Sequence, residues 1–421
     1  MKVLIKQATI VHSSSPFNGL KKDILINNGI IETISDDIPA KADTVIQQPG
    51  LHVSIGWMDI FAHFCDPGLE YRETLETGSR AAAAGGFTDV MVLPNTNPTI
   101  HTKSQIEYIV QKATSLPVNI HPIGAVTKNT EGKELAEMYD MQQSGAAAFS
   151  DGLNCIQSAG ILLKALQYIL PFDGTIIQLP NDKSIQPHGL MNEGIISTQL
   201  GLPGKPAFAE EVIIARDIEL AKYTTSRLHF TGVSTKKGIE LISKAKAEGL
   251  KITCSVTPYH LFFCDEDLTG YDTNLKVNPP LRTKGDQLAL QEALQNGQID
   301  CIASHHIPQN YDAKTCEFEY AKNGMIGLES VFGAVGGLIN KKFTLPQCIH
   351  LLTVAPRTIF GLQLPDLTEG VTANLTLFNP DETYIFSKEN IRSKSTNSAF
   401  TDKKMTGTVV GIINGDKTYF N

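Results

Sequence analysis

Thr77-Gly-Ser-Arg-Ala-Ala-Ala-Ala84, then Gly85-Gly86, then Phe87-Thr-Asp-Val-Met-Val-Leu93, is the stretch that decides the fold. Its alanines favour a helix, the glycine pair ends it, and the apolar run behind has the length and β-branched content of a buried strand. The alternation recurs downstream. Residues 209–222 carry a helical period, and so do residues 236–248, closed by Gly249; Lys251-Ile-Thr-Cys-Ser-Val256 is the strand that follows. Strands alternating with helices imply parallel β-α units. Over residues 54–364 the economical arrangement of such units is an α/β fold closed as a (β/α)8 TIM-type barrel.

The chain ends read differently. Asp23-Ile-Leu-Ile26 and Ile30-Ile-Glu-Thr-Ile34 flank Asn27-Asn28-Gly29, and Asn-Gly favours the tight turn that joins antiparallel strands. Near the other end, Gly407-Thr-Val-Val-Gly-Ile-Ile413 leads into Asn414-Gly415 and then Lys417-Thr-Tyr-Phe420, while residues 373–378 alternate polar and apolar. Residues 1–53 and 365–421 are therefore expected to form one small discontinuous β-sandwich domain beside the barrel of residues 54–364.

Composition narrows the function classes. The 421 residues carry a formal net charge of −8, with 42% hydrophobic and 19% charged residues. No run of Lys or Arg stands out, so nucleic acid and anionic membrane are not expected partners. Seven cysteines (65, 155, 254, 264, 301, 316 and 348) include no C-x-x-C pair, which reads as reduced core thiols and a cytoplasmic protein. The opening MKVLIKQATIVHSSS has too short an apolar run for a signal peptide or a membrane span.

Gly56-Trp-Met-Asp-Ile-Phe-Ala-His-Phe-Cys-Asp-Pro-Gly68, the run from Glu73 through Gly85-Gly86, and Leu93-Pro-Asn-Thr-Asn-Pro98 together resemble the opening of the dihydroorotases. These are amidohydrolases that close carbamoyl aspartate to dihydroorotate. The similarity continues through Phe149-Ser-Asp151, Gly189-Leu-Met-Asn-Glu-Gly194, Val233-Ser-Thr235, Lys276-Val-Asn-Pro-Pro-Leu-Arg282 and Ala355-Pro-Arg357, so it spans nearly the whole chain. The resemblance implies a metal-dependent barrel with one or two zinc ions at its mouth. Such an ion brings the pKa of a bound water to about 7 and needs three or more converging protein ligands.

Carried over position by position, the resemblance implies that most of those ligands are replaced. The family's H-x-H is Phe61-Ala62-His63, so the first imidazole is a phenyl ring. The Arg that grips the substrate carboxylate is Cys65, and the bridging carboxylate is retained as Asp151. The next histidine aligns with Gln178, and the one before Val-Ser-Thr is Gly232. In Ser304-His-His-Ile-Pro-Gln309 the catalytic Asp has become His305, His306 matches the family's own histidine, and the last His is Gln309. His63 and Asp151 are the retained ligands; Phe61, Gln178, Gly232 and His305 mark the lost ones.

Plainer roles stand beside these. His63 alone fits a hydrogen-bonded histidine at the barrel mouth, and Asp151 without a cation needs a donor or water. His305 and His306, as neighbours on a strand, point to opposite faces. Asn95 and Asn278 match family residues near the substrate, yet both sit in good turn formers. Cys65 cannot replace a bidentate guanidinium, and Tyr259-His260 reads as scaffold. The expected protein is a non-catalytic dihydroorotase-like member with no cofactor. The resemblance implies aspartate transcarbamoylase as its partner and a homo-oligomeric state. The alternatives left open are an active zinc-dependent dihydroorotase, a repurposed amidohydrolase, and a small-molecule binder using the vacated pocket.

Overall fold

A computed structural model describes residues 1–421. In it the deciding stretch is a helix, Leu75–Ala84, followed by the strand Phe87–Val92. The helix starts before Thr77 because Thr74 caps it. The Thr77 N–H donates to Thr74 Oγ1 at 3.1 Å, and the Thr74 N–H donates back to Thr77 Oγ1 at 3.0 Å. Gly86 (φ +89°) makes the turn into the strand, where a Cβ would lie 2.8 Å from the Trp57 ring.

Both chain ends build one sheet. Its strands are β1 (Lys2–Ile10), β2 (Lys21–Asn27), β3 (Ile30–Ser35), β4 (Thr44–Ile46) and β5 (His52–Ile55) from the front of the chain. The back of the chain adds β16 (Asn374–Ile385), β17 (Lys404–Asn414) and β18 (Lys417–Phe420), and the strands run in the order β18-β17-β16-β5-β1-β2-β3, with β4 also on β1. Because β1 pairs with β2, β4 and β5, the sheet branches and folds over a core of 16 buried residues, among them Ile5, Ile24, Val53 and Leu375.

Gly56 alone separates β5 from the first barrel strand, β6 (Trp57–Ala62). The barrel continues through β7 (Phe87–Val92), β8 (Asn119–Gly124), β9 (Ala148–Phe149), β10 (Thr175–Gln178), β13 (Arg227–Phe230), β14 (Ile252–Val256) and β15 (Cys301–Ile302). The pairings recorded between these strands are parallel. Closure comes from a bridge between Ala62 and His306, with the His63 N–H donating to the His306 carbonyl at 2.8 Å. Thirteen buried residues, including Met58, Met91, Ile123, Ile177 and Cys301, fill the ring. A larger cluster of 59 packs between strands and helices. Helices Phe208–Thr224 and Lys236–Ala247 cover the outside where the periodicity placed them. No helix is long and apolar enough to cross a membrane.

Two features lie outside the alternation. β11 (Met191–Asn192) and β12 (Gly204–Lys205) form a small parallel ribbon at the mouth. Between β16 and β17, residues 386–403 leave the terminal sheet and pack on the barrel, where Phe386, Ala399 and Phe400 join Tyr259, Phe263 and Met325.

Candidate functional site at the barrel mouth

Every position singled out for metal chemistry sits at or just beyond the carboxyl end of a barrel strand: Phe61 and His63 at β6, Asp151 after β9, Gln178 closing β10, Gly232 after β13 and His305 after β15. This is the face where barrel enzymes place their chemistry. There Phe61, Gly232 and His305 pack together, and the polar side chains hydrogen-bond to neighbouring residues outside the set.

His305 takes a left-handed backbone (φ +45°) and turns its ring inward. The ring stacks on Phe61 with centroids 4.4 Å apart and planes 27° from parallel. Its Nε2 is hydrogen-bonded to Thr231 Oγ1 at 2.8 Å. At Gly232 (φ +66°) a Cβ would lie 2.6 Å from the His305 Cε1. Phenyl, glycine and imidazole are thus one packing unit. Burial, with His260 and His229 adding to it, pulls the His305 pKa down to about 3, so the ring is neutral at physiological pH.

His63, 1% exposed, has both nitrogens engaged. Its Nε2–H donates to the Asn95 carbonyl at 3.0 Å, and Nδ1 accepts from the Cys65 thiol at 3.2 Å. Burial pulls this imidazole to about 4 and pushes the Cys65 thiol well above its ordinary value. A buried neutral thiol of this kind is a poor nucleophile. Asp151 is held by Thr127. Its Oδ1 accepts from the Thr127 N–H at 2.8 Å and its Oδ2 from the Thr127 hydroxyl at 2.5 Å, while burial raises its pKa to about 6. Gln178 donates through Nε2 to Asp217 at 2.9 Å, and its Oε1 accepts from the Ile156 N–H at 3.3 Å. No three His, Cys, Asp or Glu side chains come together in the chain as a cage for a cation.

The two adjacent histidines face apart, but a strand pleat is not the cause, contrary to the expectation. β15 ends at Ile302, and the left-handed turn at His305 separates them. His306 accepts at Nδ1 from the Gly327 N–H at 3.1 Å, and its Nε2 lies 3.4 Å from Glu73 Oε2. Glu73 in turn accepts from Ser393, Thr77 and the Lys394 N–H. His260 bonds to Thr257 Oγ1 at 2.8 Å and to the Pro280 carbonyl at 3.2 Å, both within the scaffold. Gln309 donates to the Asn323 carbonyl at 2.8 Å.

Asn95 and Asn278 part company. The Asn95 amide donates to the Asp151 carbonyl at 3.0 Å and accepts from the Leu153 N–H at 2.9 Å, so it braces the turn after β9. Asn278 lines an open pocket of about 320 Å³, together with Asn181, Lys183, Lys205 and Asn323. Sequence reasoning missed those four. Their one signal was an isolated cation, Lys205, inside the apolar run Gly201-Leu-Pro-Gly-Lys-Pro-Ala-Phe208.

Comparison with known proteins points one way. Residues 51–238 match the family described as Dihydro-orotase-like. The dihydroorotase of Caldicellulosiruptor saccharolyticus is 40% identical over 420 residues, covering 99% of this chain and 97% of that protein. The dihydroorotase of Geobacter metallireducens is 37% identical over 423 residues, covering 100% of each. Among solved structures, the L-hydantoinase (dihydropyrimidinase) of Arthrobacter aurescens superposes with a TM-score of 0.86 at 26% identity, covering 99% of this chain and 95% of that one. With such likeness running from end to end, the chain belongs to the dihydroorotase family, on an amidohydrolase barrel.

Proposed function

We propose that the chain serves pyrimidine biosynthesis as a dihydroorotase-family protein without the family's zinc chemistry, acting as a structural partner of aspartate transcarbamoylase in the cytoplasm. The observation that carries the first half is the His305–Phe61–Gly232 packing unit. It puts a phenyl ring, a glycine and a neutral imidazole at three of the family's ligand positions, where an ion would need three converging donors. The two retained donors, His63 and Asp151, are already bonded to Asn95, Cys65 and Thr127 and aim at different partners. The donor set present does not fit a zinc ion, so no step through one is derived. The missing carboxylate at position 305 also removes the family's proton carrier. An imidazole held near 3 is a weak base at neutral pH.

Metal analysis of protein purified without chelator, paired with an assay of carbamoyl aspartate ring closure, tests the reading. Zinc far below one per chain and no turnover are expected. Near-stoichiometric zinc at the mouth, or measurable ring closure, overturns it and restores an active zinc-dependent dihydroorotase or a repurposed amidohydrolase. The partner half rests on family resemblance. It is tested by size-exclusion chromatography with and without aspartate transcarbamoylase: a shared high-mass peak supports it, and separate elution removes it. The same column run on the chain alone tests the homo-oligomer expectation.

A further inference from the structure

Residues 328–336, which follow the barrel strands, line a cavity of about 270 Å³ together with β16, β17 and the segment 386–403. It shares no residue with the mouth. At roughly 30 Å³ per water in the liquid, it has room for about nine non-hydrogen atoms. Two of its lining side chains are charged, and the fold holds them apart. Glu329 is 9% exposed. Its Oε1 accepts from the Arg392 N–H at 3.0 Å and the Ser393 N–H at 2.9 Å, while its Oε2 receives no donor from the chain. Arg392 lies at the exposed rim, giving Nε to the Tyr419 hydroxyl at 3.1 Å and Nη1 to the Glu389 carbonyl. Its Nη2 donates to nothing in the chain, and no ion pair joins it to Glu329. Asn390, also on the rim, spends its Oδ1 on Ser387 and leaves its Nδ2 free. The Tyr384 hydroxyl has one partner, the Met405 sulfur at 3.6 Å, which is a weak acceptor. Phe332 and Val409 supply the apolar wall. The nearby carboxylate of Glu382 is exposed and accepts from the Thr408 hydroxyl at 2.6 Å.

A carboxylate has about four acceptor sites, and a buried polar atom costs stability until a donor fills it. One oxygen of Glu329 serves the backbone and the other is unclaimed. Opposite charges lining one small cavity attract, yet other partners keep these two from pairing. Three donors around the cavity thus want a good acceptor, and one buried acceptor wants a donor. A molecule that carries a carboxylate and an ammonium close together meets both needs. We propose that this cavity binds a free α-amino acid with an apolar side chain, its ammonium group on Glu329, its carboxylate on Arg392 and its side chain against Phe332 and Val409. Burial sets the direction: the ammonium goes in to the buried carboxylate, and the ligand's carboxylate stays at the rim, where the guanidinium fork suits it. A bound ligand also fastens the segment 386–403 to the barrel. Occupancy of this cavity is independent of whether the mouth holds zinc.

Isothermal titration calorimetry and hydrogen-exchange mass spectrometry of the full chain, with L-leucine as the probe, test the site. Leucine is expected to bind and to slow exchange over 329–333, 386–392 and 407–409. Its two halves, 4-methylpentanoate and 3-methylbutylamine, should each bind at least fivefold more weakly. Glu329→Gln keeps an oxygen for the two backbone N–H groups and should weaken leucine at least tenfold. Arg392→Gln, on the exposed rim, should weaken it about threefold or more. Lys388→Gln removes a cation from the same segment but not from the cavity wall, and should leave Kd unchanged. Should Glu329→Gln fail to fold, Arg392→Gln and the half-ligands still decide. No heat and no protection at about 10 mM leucine, where a site of about 1 mM Kd would be about nine-tenths filled, overturns the proposal. So does protection confined to other parts of the chain, a half-ligand that binds as tightly as leucine, wild-type affinity in Arg392→Gln, or an equal loss in Lys388→Gln.

Discussion

At Gly232 the backbone is left-handed, and the space a side chain would take is held by the ring of His305. Two penalties therefore meet any larger residue there. The left-handed conformation costs an L-residue about 1–2 kcal/mol, and overpacking adds about 1–3 kcal/mol. Gly232→Ala is expected to lower stability by roughly 2–4 kcal/mol in urea unfolding. In the double variant with His305→Ala the steric part should disappear, leaving a coupling of about 1 kcal/mol or more between the sites. Strict additivity would show that the imidazole is not what fills the gap. The sequence showed both substitutions, one imidazole lost and one gained, but not that the gained ring lies over the lost position; that relation exists only in space. Lys314 was illegible in the same way. It is 8% exposed, donates to the Thr273 carbonyl at 2.8 Å, and burial brings its pKa down to about 7. The unfolded chain binds that proton up to about pH 10.4, so between the two values it holds more protons than the native state and stability rises with pH. The penalty of burying the charge is fully present below about pH 7 and is relieved above it. Between about pH 7.5 and 9.5 wild type should gain about 2 kcal/mol on Lys314→Met, read from paired denaturant curves. A difference that stays flat with pH would show that Lys314 titrates as an ordinary lysine.

Elements with a regular period were legible, and those without one were not. The Asn27-Asn28-Gly29 hairpin forms as read, with Asn28 at φ +48° and Gly29 at φ +79°, because the turn demands left-handed residues that this pair supplies cheaply. Helices at 209–222 and 236–248 were placed to within two residues, since an amphipathic stripe fixes phase and length together. Residues 386–403 escaped. They have no periodicity, and single side chains bonding to backbone groups tie them to the barrel. Asn397 donates to the Ile307 carbonyl at 3.2 Å and the Gly324 carbonyl at 3.1 Å, and accepts from the Gln309 N–H at 3.0 Å. Asn397→Ala would strand three buried backbone groups, each worth about 1–3 kcal/mol when unpaired, though water reaching the gap offsets part of that. A loss of about 2–4 kcal/mol is expected, with faster amide exchange over 386–403 and near 307–309 by hydrogen-exchange mass spectrometry. Exchange confined to the mutated loop would show that it only lies against the barrel.

On the scale of the whole molecule, the question is whether barrel and terminal sheet unfold together, and the single tryptophan reports on it. Trp57 is fully buried at the start of β6. It packs on Phe87 and Phe332 of the barrel side at 6.2 and 4.8 Å, and on Phe378 of the terminal sheet at 5.4 Å; its Nε1–H donates to Ser54 Oγ at 3.0 Å. Arg357 braces the same junction, donating to the Gly56 carbonyl at 2.8 Å and to Asp89 at 2.6 Å. With Gly56 as the only residue between the two sheets and the aromatic cluster shared across it, neither body buries its own surface alone. Tryptophan emission and far-ultraviolet circular dichroism should therefore give one common midpoint on denaturation. Phe378→Ala removes the sheet's ring from the cluster and should cost about 3–5 kcal/mol, shifting both probes together. A tryptophan transition that runs ahead of the loss of helical signal, in wild type or in this variant, would mean that the sheet peels from a barrel able to stand without it.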